Sequence, residues 1–208
     1  MEWPFFDLRI THGDVVLRGV ADADLGPLLA VLPADLELDP RMETFASLPE
    51  ARDRERRFVA GIWRRRGLWS PSSWCLDLVV EHAGGVVGIQ TLEADDFPAL
   101  RTVDSASWLA PEVRGRGVGT AMRAAILALA FDHLGADAAV TSAEPDNLAS
   151  LGVSRRLGYV DNGVGRVHGA HGAVDLQHLR LGRDGWRATG RSAVVEGVEP
   201  CLPWFAIS

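Results

Sequence analysis

A chain of 208 residues that is 47% hydrophobic can bury one large core, and its length suits a single domain. It carries 28 acidic against 21 basic residues, a formal charge of −7, which argues against nucleic acid or an anionic membrane as its main partner. Every basic residue is arginine, so the chain offers no lysine side chain for its own acylation. Cys75 and Cys201 match no metal-ligand spacing and read as reduced thiols, with a single disulfide as the alternative. No apolar run reaches the length of a membrane span, and Met1-Glu2-Trp3-Pro4-Phe5-Phe6 lacks the basic flank and apolar stretch of a signal peptide. The expected location is the cytoplasm.

In chain order, residues 8–10 and 15–20 flank His12-Gly13-Asp14 and predict a hairpin. Residues 21–32 predict a short helix capped by Asp22 or Asp24. The proline- and acid-rich stretch 33–49 reads as a loop. Residues 50–66 predict a long helix with Phe58, Ile62 and Trp63 as its apolar stripe and an arginine-rich face read as solvated. Strands follow at 74–81 and 86–92 around the turn Ala83-Gly84-Gly85, then a third strand at 102–110. A helix runs to Leu134, where Gly135 ends it. Next come a buried strand at 138–142, a helix at 147–157 ended by Gly158, and strands at 159–167 and 174–181. The tail 183–208 holds Trp186, Cys201, Pro203, Trp204 and Phe205, too apolar for a free end, and reads as an extension packed on the domain or at a subunit contact.

The most informative stretch is Arg114-Gly115-Arg116-Gly117-Val118-Gly119-Thr120, between the strand ending Ser107-Trp108-Leu109-Ala110 and the following helix. Its glycines allow positive φ and close approach of main-chain N–H groups to a ligand. The helix start adds unpaired donors and the positive end of a dipole, and two arginines add charge suited to phosphate oxygens. Such a loop holds a pyrophosphate. Glycines at 115, 117 and 119 do not fit the dinucleotide pattern G-x-G-x-x-G, and no Gly-Lys-Ser/Thr is present.

The spacing R-G-x-G-x-G instead resembles the coenzyme A loop of the GNAT acyltransferases. A second block agrees, with Asn147-Leu148-Ala149-Ser150 followed by Ser154-Arg155-Arg156-Leu157-Gly158-Tyr159. The resemblance covers roughly residues 7–182. It implies an α/β (α+β) GNAT fold: a central mixed, mostly antiparallel sheet, splayed at the acyl-CoA site, with helices on both faces. Trp-Pro-x-Phe-Asp-Leu-Arg-Ile near the start, Val-Asp-Ser-x-Ser-Trp-Leu and Val-Ser-Arg-Arg-x-Gly-Tyr resemble an actinobacterial RimJ/RimL-like group. The activity implied is direct N-acyl transfer from acetyl-CoA or succinyl-CoA, without a metal, to an amine acceptor: a protein N-terminus, a lysine or a small molecule. A homo-oligomer is compatible with the apolar tail.

The resemblance also assigns roles. The loop 114–119, with Thr120 beside it, binds phosphates. Trp108, Leu109, Ala110 and Val113 bond pantetheine through the main chain, and an N–H near Leu109 polarises the thioester carbonyl. Asn147 bonds the pantetheine arm or caps its helix. The position seven residues on, where many GNAT enzymes carry a thiolate-protonating tyrosine, holds Ser154. Ser150 fits the N-x-x-S spacing of the RimJ/RimL branch and is the thiol-proximal donor or a packing residue, while Tyr159 is structural. Candidate bases are Glu93, Asp95, Asp96, Asp104 and Glu144. Asp104 is favoured because it alternates with Ala106 and Trp108 on one strand face, with an arginine ion pair as its alternative role. A succinyl carboxylate would call on Arg41, Arg101, His168 or His171. The six histidines show no metal spacing. A module that binds acyl-CoA without turning it over is the rival reading.

Overall fold

The computed structural model describes residues 3–39, 41–169 and 172–207. Alternating apolar residues in the first segment build β1 (Arg9–His12) and β2 (Val15–Gly19), turned at Gly13 with φ 62°. A 3-10 turn and α1 (Leu25–Ala30) follow, with the Asp24 carboxylate accepting the Ala21 N–H at 2.8 Å. Then come α2 (Glu50–Gly67), β3 (Ser73–His82), β4 (Gly85–Asp95) and the single turn α3 (Phe97–Leu100). The predicted third strand is two strands, β5 (Thr102–Asp104) and β6 (Ser107–Leu109). The chain continues through α4 (Val118–Ala128), a π-helical turn at Leu129–His133, β7 (Ala138–Ala143), α5 (Leu148–Arg156), β8 (Val160–Gly169) and β9 (Gly172–Gly182). Beyond it lie α6 (Arg183–Ala188) and β10 (Val194–Glu196).

The strands form one sheet in the order β10-β1-β2-β3-β4-β5-β7-β9-β8, with β6 paired to β4 beside that path. All neighbours are antiparallel except β5 and β7. Alternation along β3 sends Trp74, Leu76, Leu78 and Val80 into the larger core, which α4 and α5 cover. Val79 goes to the other face and packs with Leu28, Phe58 and Ile62 under α1 and α2. Nearly all of α4 is buried, as expected of a helix apolar all round.

Helix α2 departs from its sequence reading in two ways. Trp63 is 51% exposed and its indole N–H donates to Asp22 at 3.2 Å, so the buried stripe is Phe58 and Ile62 with Gly61 between them. The arginine face is not merely solvated. Arg54 donates to the Pro33 and Leu36 carbonyls, Arg56 to that of Glu43 and Arg57 to that of Met42. Arg65 pairs with Asp77 at 2.9 Å, and Arg66 reaches the Val20 carbonyl. Pro33, Leu36, Met42 and Glu43 lie outside any strand, and the helix satisfies their carbonyls.

After β9 the chain packs back on the sheet. Trp186 stacks on Phe131 with ring centroids 5.9 Å apart and donates to Asp132 at 3.0 Å, and β10 pairs with β1. Phe205 is fully buried edge-on to Phe5 and Trp74, and the Trp69 indole donates to the Trp204 carbonyl at 2.9 Å. The two ends of the chain thus share one aromatic cluster. Replacing Phe205 by Ala is expected to lower unfolding stability by about 3–5 kcal/mol, measured by urea denaturation. A loss under about 1 kcal/mol would mean that the cluster carries no such weight.

Candidate active site

The site begins where a ladder stops. Thr102, Val103 and Asp104 pair in parallel with Ala138, Ala139 and Val140 of β7, and there the pairing ends. Residues 105 and 106 turn out of register. Asp104 Oδ1 accepts the Ser105 N–H at 2.6 Å, and Thr91 Oγ1 accepts the Ala106 N–H at 3.1 Å. The Ala106 carbonyl receives the Thr91 N–H, the Thr91 hydroxyl and the amide of fully buried Gln90. β6 then rejoins β4 but not β7, leaving a wedge between β6 and β7.

One edge of that wedge is open. Thr91 N–H donates to Ala106 O and Ala110 N–H to Val87 O, so the ladder-facing residues are 106, 108 and 110. Main-chain groups of Ser107 and Leu109 therefore face the wedge. This corrects the strand reading at Trp108 and Ala110, whose groups serve β4, and at Val113, whose N–H bonds Ala110 O in the turn Pro111–Val113. Ser107 was not among the expected residues; only the register of β6 reveals it.

Above the wedge, Gly115 and Gly117 adopt φ of 73° and 89° with no atom within 4 Å of where a Cβ would stand. No main-chain acceptor among the described residues receives the N–H groups of Gly115, Arg116, Gly117, Val118 or Gly119. Thr120 N–H closes back on Gly117 O. Gly119 sits between Leu109 and Val153 of α5, which ties the loop to both walls. This cradle of donors at the start of an eleven-residue helix suits a pyrophosphate, so the residues present fit coenzyme A. The two arginines divide. Arg114 Nε donates to Leu109 O at 2.9 Å while its other nitrogens pair with Asp35 at 2.8 and 3.0 Å, lowering the Asp35 pKa. Arg116 is exposed and makes no ion pair among the described residues, which leaves it the loop cation available to an anion.

On α5, Asn147 caps the helix by accepting the Ser150 N–H at 3.1 Å. Ser150 is partly exposed, whereas Ser154 is 1% exposed and its hydroxyl donates to the Ser150 carbonyl at 3.2 Å. Ser154 is thus committed to its own helix.

Below the wedge, on the face covered by α2, lies a cleft of about 630 Å³ lined by Arg41, Arg64, Cys75, Glu93, Asp95 and Asp104 among others. Cys75, Glu93 and Asp104 stand directly opposite one another on β3, β4 and β5. Arg41 pairs with Asp39 at 2.9 Å, and Arg64 approaches the same carboxylate. Burial pushes the Asp104 pKa up to about 6; Glu93 adds to the rise, while the Ser105 N–H, Arg123 and His178 oppose it. Asp104 makes no ion pair among the described residues. Burial likewise drives the Cys75 thiol far up, with Asp77 and Glu93 adding to it, so the thiol stays protonated.

The remaining candidates scatter. Asp96 lies at the start of α3 and Glu144 is exposed beyond β7. Arg101 covers the Phe97 ring, and His168 is exposed on the edge strand β8. His171 lies outside the described residues. The least expected feature is Arg123, only 4% exposed on α4 beside the wedge.

With this geometry established, a family model described as an acetyltransferase (GNAT) domain matches residues 14–160. The chain belongs to the GNAT acetyltransferase family, whose members use acetyl-CoA and amine acceptors. Its fold is similar to that of Mycobacterium smegmatis RimJ in complex with CoA-disulfide: TM-score 0.71, 21% identity, 93% of this chain and 99% of that one. A GCN5-related N-acetyltransferase from Brucella melitensis aligns with TM-score 0.66 and 17% identity over 87% and 81% of the two chains. A spermidine N-acetyltransferase SpeG chimera from Vibrio cholerae and hSSAT gives 0.65 and 14% over 84% and 99%. Among the described residues, no helix is long and apolar enough to cross a membrane.

A carboxyl whose folded pKa lies above its ordinary value is disfavoured by folding when ionised. Asp104 should therefore cost stability as pH rises from 3.8 to about 6, with the whole cost present above that window. Asp104→Asn is expected to raise unfolding stability at pH 7 by on the order of 2 kcal/mol, with little change at pH 4. Urea unfolding at the two pH values checks it, and equal stability of the two proteins at pH 7 would count against the raised pKa.

Proposed function

We propose that the protein transfers an acyl group, acetyl or succinyl, from acyl-CoA to a primary amine by direct attack. The observation that carries this reading is the wedge itself, with a phosphate-suited cradle at one end and an ionisable carboxyl at its apex. The N–H groups from Gly115 to Gly119, with Arg116, would hold the pyrophosphate, and the open edge of β6 at Ser107 would pair with pantetheine amides. Asn147 keeps an amide to offer the same arm. Bound there, the thioester supplies the activated carbonyl. The amine enters from the cleft and loses a proton to Asp104, directly or through a water. Its nitrogen bonds to the carbonyl carbon, whose oxygen the Leu109 N–H is suited to polarise. The carbon–sulfur bond breaks and the sulfur gains a proton through the Ser150 hydroxyl, the assigned donor, which is restored by the proton that Asp104 took from the amine. Amide and free thiol are the products.

A protonated Cys75 supports transfer without an acyl-enzyme. Acceptor classes are a protein N-terminus, a lysine or a small amine, the last by analogy with the spermidine enzyme. The reading places the chemistry in the cytoplasm, with Cys75 and Cys201 free, in a monomer or a homo-oligomer. Commitment of the Ser154 hydroxyl to its own helix favours the second reading, a module that binds acyl-CoA without turnover.

Binding and turnover measurements test these assignments. Thermal shifts with acetyl-CoA, succinyl-CoA and coenzyme A at equal concentration report which donor binds. Absence of any shift would overturn the reading, and a clearly larger one with succinyl-CoA would assign the donor. Gly117→Ala, placed at φ 89°, should weaken coenzyme A binding by about tenfold or more, read by calorimetry. Asp104→Asn should lower kcat/KM about 100-fold and abolish an acidic limb near pH 6. Binding without turnover across an amine panel would select the silent module.

A further inference from the structure

Arg123 is a buried cation that forms no ion pair with a carboxylate among the described residues. Its Nη2 lies 3.4 Å from Ser107 Oγ on β6, and its Nη1 lies 3.5 Å from Thr141 Oγ1 on β7. The guanidinium thus spans the two strands that have stopped pairing. Thr141 Oγ1 donates in turn to the Ser105 carbonyl at 3.3 Å, inside the irregular step that follows Asp104. Around it Arg123 Nε, Ser105 Oγ and Tyr159 Oη are buried close together, with no well-formed hydrogen-bond partner among the described residues. Removing a charge from water costs several kcal/mol unless it is well paired, so a sequence of this composition would ordinarily place Leu or Met at this helix position. An unsatisfied buried group in a folded protein calls for an explanation, and stability does not supply one here.

Resting on the reading of the wedge as the acyl-CoA site, we propose that Arg123 is a positioning residue for the transfer. From the face opposite the cleft, it fixes the separation of β6 and β7 and supports the step at Ser105 that presents Asp104. Ser107 and Thr141 are its two contacts. Its charge also acts on Asp104 through the strand and favours the carboxylate, as does His178 of β9. The other groups around Asp104 are Glu93 and Cys75 on β4 and β3, Tyr159 beside Arg123, and Arg41, Arg64 and Arg65 across the cleft. Of the latter, Arg41 and Arg65 are paired with Asp39 and Asp77. Loss of the Arg123 charge therefore moves the base in one direction, toward the protonated form.

The experiment compares Arg123→Met and Arg123→Lys in the full chain, with coenzyme A binding measured by calorimetry and kcat/KM measured across pH. Met keeps the volume and removes the charge, while Lys keeps the charge but cannot bridge both hydroxyls. With Met, kcat is expected to fall at least about tenfold, while the coenzyme A Kd, set mainly by the phosphate cradle, stays within about threefold. The acidic limb should rise by about half a pH unit or more. With Lys, the limb should stay near that of the wild-type protein while kcat still falls. A Met variant with wild-type kcat and limb overturns the proposal, as does a Lys variant whose limb rises by half a unit or more, which also decides the matter if the Met variant does not fold. Failure of the wild-type protein to bind coenzyme A overturns the reading of the wedge instead.

Discussion

One parallel strand pair governs this molecule. Every other pair among the described strands is antiparallel, but β5 and β7 need the α4 crossover, and they hold together for only three residues. What ends the pairing is local chemistry. Asp104 captures the next N–H, and Thr91 with Gln90 captures both main-chain groups of Ala106, so the chain satisfies itself against β4 rather than β7. The cost of an open strand edge is ordinarily avoided. Here it leaves the main-chain groups of Ser107 and the N–H of Leu109 without a strand partner beside the glycine loop, and the same few residues place a carboxyl at the apex.

Charge in the cleft follows from the way α2 uses its arginines. A helix this rich in guanidinium groups could have neutralised every acid near it. Instead Arg54, Arg56 and Arg57 are taken up by carbonyls of the 31–49 segment, and Arg65 by Asp77. Arg41 and Arg64 share Asp39. The cleft wall is therefore built by cations that are already occupied, and Asp104 on the floor is left without an ion pair. Burial then outweighs the Ser105 N–H, Arg123 and His178, and its pKa reaches about 6, the range useful to a base. The ion pairs of the wall and the raised pKa of the floor are one arrangement.

Much of this was legible in the chain. The glycine loop, the strand face shared by Asp104, Ala106 and Trp108, and the order of strands and helices follow from periodicity and turn residues, since each is set by neighbours in sequence. Asp104, Glu93 and Cys75 do share one row on the cleft face. Less legible were features fixed by long-range register. Little at residue 104 announces that the ladder breaks there, because most of the groups that hold Ala106 away from β7 belong to Thr91 and Gln90. Which of Ser107, Trp108 and Leu109 face the wedge depends on pairing with β4 and cannot be read from β6. Trp63 looked like core by its spacing, yet its N–H found Asp22 and its ring stayed in solvent. Arg114, the most cationic-looking part of the loop, serves as a brace to Leu109 and Asp35, for which the sequence gives no sign.

Arg123 and Asp104 complete the argument, since they approach the same step in the strand from opposite faces of the sheet. Asp104 sits on the cleft side, beside Val140; Arg123 reaches the core side, between Ser107 and Thr141. A buried acid and a buried base of this kind would gain most by meeting directly, but the strand lies between them. Each is then held short of its preferred partner, and each keeps part of the cost of burial. A contact would have neutralised Asp104 as an ion pair and drawn its pKa down, making it a poor base at neutral pH. Separation by one strand leaves the cation strong enough to favour the carboxylate and too distant to lock it. In this fold the irregular step at Ser105 and Ala106 creates that separation, and so the feature that opens the wedge also sets the state of the group at its apex.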